Sequence, residues 1–147
     1  MNLEKPAILV LCTGNSCRSQ MAEGFLRTYV GNRFDIYSAG LEPKDEIHPY
    51  AKLVMLEIGI DLSGQSPKSA RVYLGRLSVR HFIVVCADAE QKCPRMFPGA
   101  LRSWYWPFDD PASATGTEEE RLAKFREVRD QIQQKIREWI PIVDSHQ

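Results

Sequence analysis

The chain has 147 residues, enough for one domain over residues 1–147 that buries roughly two-thirds of its unfolded surface. Lys plus Arg and Asp plus Glu stand at 19 each, so there is no electrostatic reason for it to bind nucleic acid or an anionic membrane. No apolar run approaches the ~18 residues of a membrane span, and the first residues lack the apolar segment of a signal peptide, so a cytoplasmic protein is expected.

In chain order, Ala7-Ile8-Leu9-Val10-Leu11 is a continuous apolar run after Pro6 and predicts a buried parallel strand. The loop Cys12 to Cys17 follows, and then a helical pattern with Met21, Ala22, Phe25, Leu26, Tyr29 and Val30 on one face, stopping near Gly31. A second strand is predicted at 34–38, ending at Ala39-Gly40, followed by a polar loop from Leu41 to Ile47. His48-Pro49 opens a helix whose apolar face is Ala51, Val54, Met55 and Ile58 and which ends at Gly59. Ser66-Pro67 predicts another helix start, with Val72, Tyr73 and Leu77 following. Residues 82–86 form a third apolar strand and residues 101–104 a short fourth. Thr117 to Glu120 is a capping box opening a long helix with Leu122, Phe125, Val128, Ile132, Ile136 and Ile140, closed by Pro141. Strands alternating with helices imply an α/β fold built of right-handed parallel units.

The chemistry concentrates in the first loop. A strand, a tight turn and a helix N-terminus direct unpaired N–H groups and the helix dipole at one point, which favours an anion. Arg18 adds a planar fork of donors suited to a tetrahedral oxyanion. The same donors stabilise a Cys12 thiolate, to which Ser19 can add a hydroxyl bond. Such surroundings lower a thiol pKa from about 8.5 to roughly 3.5–7.5. The four cysteines, Cys12, Cys17, Cys86 and Cys93, do not suit a disulfide framework in a domain with an adequate core; Cys12 and Cys17 fit the upper edge of zinc-ligand spacing, but Cys86 and Cys93 do not, and Arg18 would repel a cation. Catalysis or redox chemistry remains. Asp110-Pro111 by itself is equally a turn initiator or an acid. His48, His81 and His146 match no motif role, and neither a metal nor a cofactor is expected.

The segment from Cys12 through Arg18-Ser19 to Gly24 resembles the phosphate loop of the low-molecular-weight phosphatase superfamily, and within it the thioredoxin-coupled arsenate reductases. The resemblance extends over nearly the whole chain. It implies a four-stranded parallel sheet of order 2-1-3-4 with helices on both faces. It also implies an oxyanion site made by Thr13, Gly14, Asn15, Ser16, Cys17 and Arg18, with arsenate as substrate and phosphate as its analogue. Asp110 matches the general acid. Ala112 and Ser113 stand where tyrosine phosphatases usually carry aromatics. Cys86 and Cys93 match the redox segment: Cys86 would attack the Cys12 adduct, and Cys93 would then move the disulfide outward. Cys17 is left structural and oxidation-prone. Neither a helix nor an extended chain brings residues 86 and 93 within disulfide reach, so their segment is expected to loop out.

The resemblance leaves alternatives open. One is a phosphatase whose extra thiols protect the nucleophile, and another is a non-enzymatic oxyanion or redox sensor. Thioredoxin is the expected reductant, with glutathione and glutaredoxin as the other route, and a monomer is expected. Some of these reductases bind potassium through residues matching Asn15, Glu23, Ser38 and a later acid. Lys68 stands at that last position; either its ammonium supplies the positive charge directly, or it is a solvated lysine in the first turn of a helix.

Overall fold

In the computed structural model, which describes residues 5–87 and 97–144, the first strand, β1 (Ala7–Cys12), is buried at every position. Both its faces are covered and both its edges are paired, which is why its sequence is apolar throughout rather than alternating. β2 (Asp35–Gly40) lies parallel on one side of it and β3 (Val79–Val84) on the other, and β4 (Arg102–Tyr105) pairs with β3. The order β2-β1-β3-β4, all parallel, is the one the resemblance implied.

Three α-helices occur among the described residues: α1 (Arg18–Val30), α2 (Pro49–Leu56) and α3 (Glu118–Asp144). α1 packs on β1 and β2, and the three helices contact one another. The expected apolar face of α1 is present, but Arg18, Ser19, Gln20 and Glu23 are buried as well. That polar burial is the first sign that this end of the helix serves the loop before it. α2 buries Ala51, Val54 and Met55 as the pattern predicts, whereas Ile58 falls beyond its end and is exposed.

Two expectations fail, each for a visible reason. The helix predicted after Ser66-Pro67 is a single 3-10 turn, Ala70–Val72, capped by Ser69 Oγ accepting from Arg71 N–H. Its backbone is committed elsewhere. Lys68 O accepts from Gly40 N–H, Lys68 N–H donates to Asn15 Oδ1, and Ser69 bridges to Gly40 in parallel register. α3 begins with the predicted capping box, in which Thr117 Oγ1 accepts from Glu120 N–H and Glu120 Oε1 from Thr117 N–H. It does not stop at Pro141 but runs on to Asp144. Proline there removes one backbone bond. Burial of Trp139 and Val143 and an ion pair between Arg33 and Asp144 hold the last turn against that loss. Trp139 sits in an aromatic cluster with His81, Trp104 and Trp106.

Candidate active site

β1 ends at Cys12 and α1 starts at Arg18, and the five residues between them form a tight loop. Every carbonyl oxygen of residues 12–17 accepts a hydrogen bond from a group outside the loop or farther along α1. Leu41 N–H donates to Cys12 O (3.3 Å), Glu42 N–H to Thr13 O (2.9 Å), Lys44 N–H to Gly14 O (2.9 Å) and His48 N–H to Ser16 O (3.0 Å). Gln20 Nε2 donates to Asn15 O (3.0 Å), and Met21 N–H to Cys17 O (2.9 Å). A trans peptide places its N–H opposite its C=O. Carbonyls pulled outward therefore turn the N–H groups of residues 13–18 inward, and a concave row of N–H dipoles is an anion cradle.

The irregular strap of residues 41–48 thus shapes the loop, although in sequence it is only a polar connection. Gly40 makes the close approach possible. A Cβ there would lie 2.7 Å from Thr13 O and 3.0 Å from Asn15 N, both backbone atoms.

Asn15 is the pin of the loop. Its φ of 51° lies in the left-handed region, which Asn tolerates better than most residues. Asn15 Nδ2 donates to Ser19 Oγ (2.7 Å) and Ser38 Oγ (3.0 Å), and its Oδ1 accepts from Lys68 N–H (2.8 Å). Ser38 Oγ in turn donates to Glu23 Oε1 (2.5 Å), and Arg27 Nε donates to Glu23 Oε2 (2.8 Å). Of the two readings of Lys68, this geometry fits the solvated side chain. Its ammonium donates to Ser66 O at 2.6 Å on the surface, and the cation that neutralises Glu23 is Arg27.

The loop encloses a cavity of about 350 Å³ lined by residues 12–18 together with Glu42, Lys44, Asp110, Ala112 and Ser113. Arg18, 3% exposed, donates from Nη1 to Phe108 O (3.1 Å), which fixes its guanidinium, while Nη2 lies 3.9 Å from Asp110 Oδ2. Asp110 has a turn-capping role and lines the cavity as well. Its Oδ1 accepts from Ala112 N–H (3.0 Å) and so caps the 3-10 turn Pro111–Ser113, and the same carboxyl faces the cavity, partly exposed. Ser19 Oγ accepts from Asn15, so its hydroxyl hydrogen is directed elsewhere, as a thiolate donor would require. A larger hollow of about 770 Å³ lies between residues 107–109 and α3. It holds no cysteine, and its four carboxylates, on Asp109, Glu127, Asp130 and Glu138, do not suit an anion.

The three described cysteines differ in their surroundings. Cys12 and Cys17 are buried and not disulfide-bonded. Burial pushes the Cys17 thiol up to about 12, with Asp110 and Cys12 adding to the shift and Ser16 and Arg18 opposing it. A thiol held protonated in this way is a weaker nucleophile than a thiolate. Cys86, just past β3, is buried and disulfide-bonded, and its sulfur lies 3.8 Å from Thr13 Oγ1 and 4.0 Å from Leu11 O. That places Cys86 against the first residues of the loop. Cys93 and the segment expected to loop out fall at positions 88–96, outside the described residues.

Two histidines take structural partners. His48 Nδ1 accepts from Tyr50 N–H at the start of α2, and His81 Nδ1 accepts from Trp104 Nε1. His146 lies outside the described residues. The brace that sequence reasoning missed is Gln20 with Gln65, whose Nε2 donates to Gln20 Oε1 (2.8 Å) and Gln20 O (3.0 Å). A glutamine inside the buried face of a helix was the available signal.

No helix among the described residues is long and apolar enough to cross a membrane. The family model for low molecular weight phosphotyrosine protein phosphatase matches residues 7–147. An arsenate reductase of Shouchella clausii is 44% identical over 93% of this chain and 96% of its own. A solved arsenate reductase in its phosphate-binding state superposes with a TM-score of 0.73 at 29% identity, covering 92% of this chain and 97% of that one. A thioredoxin-dependent arsenate reductase of Corynebacterium glutamicum gives 0.75 at 27% identity, covering 100% and 66%. With the fold, the loop and these similarities in agreement, the chain belongs to the low molecular weight phosphotyrosine protein phosphatase family.

Proposed function

We propose that this protein reduces arsenate to arsenite. The observation that carries the reading is the position of Cys86, a second buried sulfur 3.8 Å from the hydroxyl of Thr13, the residue after the nucleophile Cys12. Phosphate hydrolysis does not need such a sulfur, because water resolves its intermediate, whereas reduction needs a second thiol to supply the electrons. The arsenate reductases among its relatives support the same conclusion.

The Cys12 thiolate attacks arsenic(V) held by the N–H groups of residues 13–18 and by Arg18, and Asp110 protonates the departing oxygen, which leaves as water. Cys86 then attacks the Cys12 sulfur. The S–As electron pair passes to arsenic, which leaves as arsenite, and a Cys12–Cys86 disulfide remains. Cys93 attacks Cys86, releasing the Cys12 thiolate and carrying the disulfide outward. An external dithiol closes the cycle. Thioredoxin is the proposed reductant, by analogy with the Corynebacterium glutamicum enzyme. The chain is proposed to act as one domain and as a monomer, in the cytoplasm.

The test is arsenate-dependent NADPH oxidation coupled through thioredoxin and thioredoxin reductase, run beside hydrolysis of p-nitrophenyl phosphate. Cys12→Ser should abolish both activities. Cys86→Ser and Cys93→Ser should stop repeated arsenate turnover and leave hydrolysis largely intact. If Cys86→Ser sustained turnover with thioredoxin, the relay would be refuted. Hydrolysis without any arsenate-dependent oxidation would make the protein a phosphatase with protective thiols.

A further inference from the structure

The mouth of the cavity carries a side chain to which nothing above gives a role. Lys44 lies in the strap that shapes the loop, where its N–H donates to Gly14 O at 2.9 Å. Its side chain does not extend straight into solvent. Lys44 Cγ and Cε lie 3.1 and 3.5 Å from where a Cβ on Gly14 would be, so the aliphatic stem runs across the loop in the space that glycine leaves open. The ammonium is one bond beyond Cε, and the residue lines the cavity together with Arg18, Glu42 and Asp110. Those four charges balance formally. Without Lys44 the lining would be left with one cation against two carboxylates, and its net sign would oppose an anion.

We propose that Lys44 is a specificity-determining residue, selecting small, unsubstituted, doubly charged tetrahedral oxyanions for the Cys12 site. The inference rests on the functional reading above and adds to it the residue that selects the substrate. The charge of Lys44 offsets Glu42 and Asp110 where the ligand enters, and a cleft with low-dielectric walls focuses that field. The stem fills space over Gly14 in the wall of the cavity, so an oxyanion without an organic group meets less obstruction than an aryl ester.

The experiment uses the full-length, reduced protein with inorganic phosphate as the probe. The readout is the phosphate concentration that half-protects Cys12 from iodoacetamide, followed by mass spectrometry of the Cys12 peptide. Lys44→Met, which keeps a stem and removes the charge, should raise that concentration by about three- to tenfold at low salt. The difference should shrink at about 0.5 M salt, where the Debye length falls to a few ångströms. Lys44→Arg should restore protection. Lys44→Ala, which also removes the stem, should improve the affinity for p-nitrophenyl phosphate relative to phosphate, compared with Lys44→Met. Half-protection of Lys44→Met within about twofold of the parent at low salt, or failure of Lys44→Arg to restore it, would overturn the proposal. Phosphate protection does not depend on arsenate turnover, so a failure of the reductase reading and a failure of this one give different results.

Discussion

Asn15→Ala tests whether the loop is held by the network around that residue. The substitution removes three side-chain hydrogen bonds, those to Ser19 Oγ, Ser38 Oγ and Lys68 N–H. Each is worth about 1 kcal/mol net, and all lie at a site with no solvent exposure to compensate. Alanine must also adopt the φ of 51°, which costs about 1–2 kcal/mol in the left-handed region. The expected loss is about 4–5 kcal/mol, at the far end of the range for single substitutions. With a urea slope of about 2 kcal/mol/M, the unfolding midpoint should fall by about 2 M. Asn15→Gly loses the same bonds and avoids the backbone cost, but gives back about 0.4–1 kcal/mol in unfolded-chain entropy. It should therefore be about 0.5–1 kcal/mol less damaging than alanine. Urea titration followed by tryptophan fluorescence measures both variants, because Trp104, Trp106 and Trp139 form part of the folded core cluster. A loss below about 1.5 kcal/mol for alanine, or glycine proving as costly as alanine, would refute the pinned loop.

Two further outcomes follow from the geometry. Gly40→Ala places a methyl group 2.7 Å from Thr13 O, so the loop must move; overpacking of this kind costs about 1–3 kcal/mol, and a misplaced site loses on the order of a hundredfold in turnover. Gly59→Ala, at φ +83° with nothing within 4 Å of its would-be Cβ, is the control that strains a turn and spares the site; equal activity in the two variants would refute the account. His81 is held down to about 4 by burial, with Arg102 and Arg80 adding to the effect. The unfolded chain takes up this proton below pH 6.5 while the folded one resists until about pH 4, so stability should fall as pH drops through that window and stay level above it. Urea midpoints against pH should show a shallower fall in His81→Gln, whose amide can still accept from Trp104; an unchanged slope would remove His81 as the cause.

Much of this protein is legible in its sequence because the deciding physics is local. Continuous apolar runs become buried parallel strands, and the spacing of Phe125, Val128, Ile132 and Ile136 gives α3 its buried stripe. Cys12, Arg18 and Ser19 fall within eight consecutive residues, so the strand, loop and helix that present them are encoded together. The tertiary structure alone decided what depends on partners far apart in the chain. Gln65 reaches Gln20 across 45 positions and Lys68 N–H reaches Asn15 across 53, and no periodicity records such pairs. The same holds for the choice of Arg27 over Lys68 as the cation beside Glu23, because burial and reach, not residue type, select the partner. The segment after Ser66 lost its predicted helix because its backbone groups had been taken by β2 and the loop, and α3 passed Pro141 because Trp139 and Val143 found a core to enter. A propensity of a few tenths to a few kcal/mol is overridden wherever packing and backbone pairing offer more, and only the folded chain brings those terms together.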